Sequence, residues 1–122
     1  MSTPIPTDLT YRQQARTLEL VYEDGTRFEL PCEYLRVYSP SAEVKGHGPG
    51  QEKLETGKEE VFIMQIKPVG NYAVVLVFSD GHDTGIYTWE TLYHLGVNRQ
   101  RLWHEYLDRL RQQGYARVER SA

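Results

Sequence analysis

The sequence predicts an α+β fold: a mostly antiparallel sheet of about five short strands with two C-terminal helices packed against it. Three observations point there. Two alternating apolar runs flank Asp24-Gly25, and two further runs, 61–67 and 72–78, flank Gly70-Asn71. Leu102, Trp103, Tyr106, Leu107 and Leu110 then recur at helical spacing near the C-terminus.

Taken in order, residues 1–15 read as a flexible leader, with Pro4 and Pro6 ahead of a polar stretch from Tyr11 to Arg16. A single domain is expected over 16–115 and a tail over 116–122. Thr17 to Tyr22 sets Leu18, Leu20 and Tyr22 on one face, and Thr26 to Leu30 carries Phe28 and Leu30, so the pair reads as a β-hairpin. Pro31 suits the start of a short helical turn over Cys32 to Leu35, with extended chain after it. Residues 39–60 form a long polar stretch with Pro40, Gly46, Gly48, Pro49, Gly50 and Gly57. Connections of that length inside compact domains are usually functional or disordered.

Val61 to Lys67 is expected as a strand with Phe62, Met64 and Ile66 facing the core. Tyr72 to Phe78 is apolar on both faces, which marks a central strand. Asp80-Gly81 turns the chain towards a short strand over Thr84 to Tyr87. Thr88 can cap a helix over Trp89 to Leu95 that Gly96 stops, and Asn98 a helix over Arg99 to Gln113 that Gly114 stops. The apolar stripe of this last helix is expected to lie on the sheet.

Composition narrows the function. A chain of 122 residues with 39% apolar and 25% charged residues fits one globular domain. Its net charge of −3 offers no basic excess for phosphates, which argues against nucleic acid as a main partner. Arginines do gather locally, at 99, 101, 109, 111, 117 and 120, so a basic face near the C-terminus is one expectation. The lone Cys32 allows no internal disulfide, residues 1–8 lack the apolar core of a signal peptide, and no apolar run could span a bilayer. A reducing cytoplasm is the expected setting.

Three chemistries can be weighed. His47 and His82 each follow a glycine in a Gly-rich stretch; if the long loop folds over the Asp80–Asp83 turn, His82, His47, Asp80 and Asp83 offer a mixed set suited to iron or zinc. No pair has CxxC or HxxxH spacing, and solvated loop histidines are the bland alternative. Cys32 as a nucleophile would need a base or cation beside it, such as His47 or Arg36, and a small buried core cysteine is the simpler reading. The glycines at 46–50 lack the GK[ST] ending of a phosphate loop, and Pro49 removes an amide donor. Tyrosines are numerous, nine in all. They suit either a recognition surface or the edges of a small core.

Two stretches together carry a family resemblance: LPCEYLRVYSPSAEV at 30–44 with GHGPGQ at 46–51, and FSDGHDTGIYTW at 78–89. They resemble the two signatures of the gamma-butyrobetaine-hydroxylase-like N-terminal domain, domain of unknown function 971, over about residues 10–115. In the hydroxylase this resemblance implies a non-catalytic domain holding a structural zinc through three cysteines and a histidine. The corresponding positions here are Ser39, Ser41, Val44 and His82, so three of the four ligands are absent. The oxygenase domain has no counterpart in this sequence. Similar domains stand alone in bacteria or are fused to P-loop ATPases that carry iron–sulfur clusters, which implies a protein partner in iron or cluster handling. The leading expectation is a non-catalytic interaction module presenting Arg36, Tyr38, His47, His82, Tyr87 and Trp89. The alternatives are an iron or zinc protein using His82, His47 and an aspartate, and a small enzyme.

Overall fold

The computed structural model describes residues 3–45 and 54–118. It is an α+β fold with two three-stranded antiparallel sheets rather than one sheet of five strands. The first sheet pairs β1 (Asp8–Arg12), β2 (Thr17–Val21) and β3 (Arg27–Pro31) in that order. The register sets Leu18 opposite Leu30 and Tyr11, and Leu20 opposite Phe28 and Leu9. Leu18, Leu20 and Leu30 are thereby fully buried. Asp24-Gly25 makes the expected turn: the Asp24 carboxylate accepts from the Thr26 amide at 2.9 Å, and Gly25 takes φ of 91°.

β1 lies inside the stretch read as a flexible leader. Its alternation is muted because only Leu9 and Tyr11 are half-buried, between exposed Asp8, Thr10 and Arg12. An edge strand with one weakly covered face leaves little periodic signal.

After Pro31 the chain forms a full short helix, α1 (Cys32–Val37), buried along its whole length. The extended stretch expected beyond Leu35 is therefore helical up to Val37. A single turn, α2 (Ala42–Lys45), follows. The second sheet pairs β4 (Ile63–Val69), β5 (Ala73–Phe78) and β6 (Ile86–Thr88), with β5 in the centre as expected. The facing of β4 is not as expected. Val61 and Ile63 are buried, whereas Phe62 and Met64 are 39% and 66% exposed. The register shifts between Ile63 and Gln65, so a bulge at Met64 resets the alternation and turns Ile66 back inward beside Leu76.

Thr88 caps α3 (Trp89–Val97), its hydroxyl accepting from the Thr91 amide. Gly96 does not stop this helix but lies within it. A Cβ there would stand 2.4 Å from the Phe28 ring, so glycine lets α3 approach β3. The last helix, α4 (Arg99–Gln112), ends at Gly114 with φ of 74°. Its stripe closes over α1 rather than lying on a sheet: Tyr106 and Leu110 bury against Val37, and Trp103 meets Tyr34 edge to face.

Tyrosine phenols tie these layers together. Tyr34 donates to the Leu95 carbonyl at 2.6 Å, Tyr38 to Leu102 at 2.7 Å and Tyr106 to Glu55 at 2.7 Å. Two of these carbonyls belong to helices, one at the last turn of α3 and one in α4. The abundance of tyrosine is thus used largely for internal ties, each supplying a large apolar body and one hydrogen bond. The basic face expected near the C-terminus is largely neutralised. Arg101 pairs with Glu105, Arg111 with Asp108, and Arg117 with Glu33, while Arg99 donates to the Glu29 carbonyl. Among the described residues, no helix is long and apolar enough to cross a membrane.

Candidate functional site

The two sequence stretches singled out above meet in space. The end of α1 and the turn after it, residues 35–41, lie against residues 80–87, which run from the turn after β5 into β6. Four pairs of side chains or main-chain groups join them. Arg36 Nε donates to Asp80 at 2.8 Å, and Ser39 Oγ shares a hydrogen bond with His82 Nε2 at 2.8 Å. Ser41 Oγ and Thr84 Oγ1 lie 2.7 Å apart, and Tyr87 donates its phenol to the Leu35 carbonyl at 2.6 Å.

Local sequence explains the placement. Gly81, at φ of 90°, lets the chain reverse after β5, and the Asp80 carboxylate accepts from the His82 amide at 3.2 Å. That turn aims the His82 ring inward beside Phe78. Opposite it, the Ser39 hydroxyl also accepts from the Ser41 amide, which fixes its position. Gly85 completes the fit: a Cβ there would stand 2.4 Å from Ser39 Oγ.

Charge is concentrated on Asp80. Besides Arg36 it pairs with Lys58 at 2.6 Å, and Glu55 lies 3.8 Å from Arg36 Nη1. Burial by itself raises the Asp80 pKa, but the hydrogen bonds from Lys58, the His82 amide and Arg36 outweigh it and bring the carboxyl down to about 2. Burial pushes the Tyr87 phenol well above its usual range, so it acts as a donor and not as an acid at neutral pH.

The expected recognition surface is therefore corrected in one respect. Its segments converge, but Arg36, His82 and Tyr87 are buried, and Tyr87 has no exposed area. Tyr38 and Trp89 are half-buried, their polar ends bound to the Leu102 and Asn71 carbonyls. His47 lies outside the described residues. Of the expected metal set, Asp83 is exposed, while Asp80 and His82 are engaged as above. Among the described residues, no group of three or more His, Cys, Asp or Glu side chains could hold an ion.

The four positions corresponding to the family's zinc ligands do not fit zinc. Val44 offers no donor, Ser39 and Ser41 offer neutral hydroxyls in place of thiolates, and the His82 nitrogen meets Ser39 directly. Sequence reasoning named Ser39 and Ser41 only through the family resemblance, and it missed Glu55, Lys58 and Gly85 altogether. The resemblance was the one signal that set Ser39 and Ser41 beside His82.

Two antiparallel sheets, a short buried helix after the first hairpin and a hydrogen-bonded junction between residues 36–41 and 80–87 define a small α+β domain of the domain-of-unknown-function-971 type. The family model described as gamma-butyrobetaine hydroxylase-like, N-terminal, matches residues 9–93, and this chain belongs to that family. Two proteins with solution NMR structures are similar over 99% of this chain. One is 40% identical, with 95% of its own chain covered and a TM-score of 0.83. The other is 49% identical, with 92% covered and a TM-score of 0.82. A crystal structure of a protein of unknown function from Acidithiobacillus ferrooxidans, assigned to the same family, is 40% identical. It aligns over 78% of this chain and 98% of its own, with a TM-score of 0.65. No curated protein matches the sequence.

Proposed function

We propose that this chain is a non-catalytic binding module of the cytoplasm, an accessory to iron or iron–sulfur cluster handling that docks a protein partner such as an iron–sulfur carrier ATPase. The observation that carries this reading is a contrast between two regions. The junction has most of its polar groups committed to one another, His82 to Ser39, Asp80 to Arg36 and Lys58, Tyr87 to Leu35, with Arg36 Nη1 buried short of a hydrogen bond. Such a network rigidifies a scaffold more readily than it performs proton transfer.

The outer face of the second sheet is different. Val75 pairs with Ile86, Val77 follows two residues on, and their neighbours Val74, Leu76 and Phe78 face the core. The outward side chains therefore include half-buried Val75 and Val77 and exposed Ile86, with Gln65 and Lys67 opposite the two valines and exposed Met64 at the adjacent bulge. Apolar groups gathered on one exposed sheet face are a common basis for protein contact.

The test is titration of a purified P-loop iron–sulfur carrier ATPase against the intact chain and a Met64→Asp/Ile86→Asp variant. The double variant is expected to weaken binding by at least about tenfold without changing the melting temperature. Equal affinity for both proteins contradicts the assigned face, and no binding to either contradicts the assigned partner.

A further inference from the structure

The tail expected from residue 116 onwards begins by folding back along the molecule. Gly114 turns the chain out of α4, and the Gly114 and Tyr115 amides donate to the Arg111 and Leu110 carbonyls, capping its last turn. Beyond that cap, two carboxylates hold residues 115–118. Arg117 grips Glu33 in two-pronged fashion, with Nε to Oε2 at 2.9 Å. The Tyr115 phenol and the Val118 amide both donate to Glu59 Oε2, at 2.9 and 2.8 Å.

Residues 54–60 are built in the same manner. They form neither helix nor strand and turn at Gly57, whose φ is 72°. Groups from four other parts of the chain hold them. Tyr106 donates to the Glu55 carbonyl, Asp80 pairs with Lys58 at 2.6 Å, Tyr115 and Val118 bind Glu59, and Arg16 donates to the Glu60 carbonyl at 2.7 Å. Leu54 and Tyr115 also pack on one apolar cluster, that of Val37, Tyr106 and Leu110.

We infer that residues 54–60 and 115–118 are one latch that opens as a unit while both sheets stay folded, so that the C-terminal segment sets how often Glu55 and Lys58 leave the junction. Three observations carry this. The paired strands of both sheets lie outside these residues, so opening breaks no strand pairing. Glu59 joins the two segments, and both cover the same cluster, so displacing one strips contacts from the other. Finally, the closed latch leaves a cost at the junction. Arg36 Nη1 is buried without a hydrogen bond, with Glu55 Oε1 3.8 Å away, and water admitted as Glu55 moves off would satisfy it. This inference is independent of the partner face on the second sheet.

Amide hydrogen exchange of the full chain, read by NMR, tests it. The Val118 amide, bonded to Glu59, reports on the C-terminal segment, and the Val61 amide, bonded to the Lys58 carbonyl at 3.2 Å, on the other. Leu20 and Val74, in the central strands of the two sheets, report on the body. Tyr115→Phe, which removes a hydrogen bond to the Glu59 carboxylate, is expected to speed exchange about tenfold at Val61 and Val118 alike and to leave Leu20 and Val74 unchanged. Faster exchange at Val118 with Val61 unmoved overturns the inference, because the two segments then open separately. An equal rise at all four amides also overturns it, because the opening is then global unfolding. If the amide spectrum shows Tyr115→Phe to be unfolded, Arg117→Ala takes its place, read against the same outcomes.

Discussion

At the scale of single residues, the junction works as a brace whose parts depend on one another. Ser39→Ala removes the hydroxyl that bonds the His82 ring nitrogen and the Ser41 amide. Loss of about 0.5–1.5 kcal/mol per hydrogen bond is expected in chemical denaturation. Asp80 gives a pH signature. Its folded pKa of about 2 lies below the ordinary aspartate value of about 3.9, so its contribution is fully present above that value and fades as pH falls towards 2. Glu59 is also held below the usual carboxylate range: burial raises its pKa, and donation from the Val118 amide and the Tyr115 phenol more than offsets this. Its contribution is lost in the same direction. Asp80→Asn should therefore lower stability at neutral pH and flatten its acid decline between about pH 4 and 2, as read from melting temperatures. A variant whose decline matches the unaltered chain would show that Asp80 is not the titrating brace.

The element scale shows which features could be read in the sequence and which could not. The Asp24-Gly25 hairpin, the central strand over residues 73–78 and the Thr88 cap were legible because each has a local signature. The phase of β4 was not, since one bulged residue at Met64 reverses the inward face and leaves no mark in the periodicity. β1 was missed because Leu9 and Tyr11 are too lightly covered to stand out. Gly96 looked like a helix stop because glycine is common there; its actual reason is the Phe28 ring, a contact 68 positions away along the chain. Gly96→Ala thus tests packing and not capping. It should destabilise the protein by about 1–3 kcal/mol, the range for overpacked sites, whereas a helix-propensity effect alone would leave stability equal or higher.

Across the whole molecule, the sequence made the meeting of residues 36–41 with 80–87 visible, but not its character. Arg36, His82 and Tyr87 are residue types common at surfaces and sites, and nothing in their spacing indicates that each has an internal partner. Tyr87 is buried in the core shared by the two sheets, and Arg36 and His82 where residues 36–41 pack on 80–87, a tertiary arrangement that local patterns do not encode. The structural positions corresponding to the zinc ligands of the family here join the same two segments through a hydroxyl and an imidazole. The central claim is that this junction is an internal brace, its two segments joined by side chains of both. The most direct measurement is nitrogen NMR of the His82 imidazole during titration of the full chain with zinc and with iron(II). The account predicts that its ring resonances stay in place beyond one equivalent of either ion; a stoichiometric shift or broadening of the His82 Nε2 signal would contradict it.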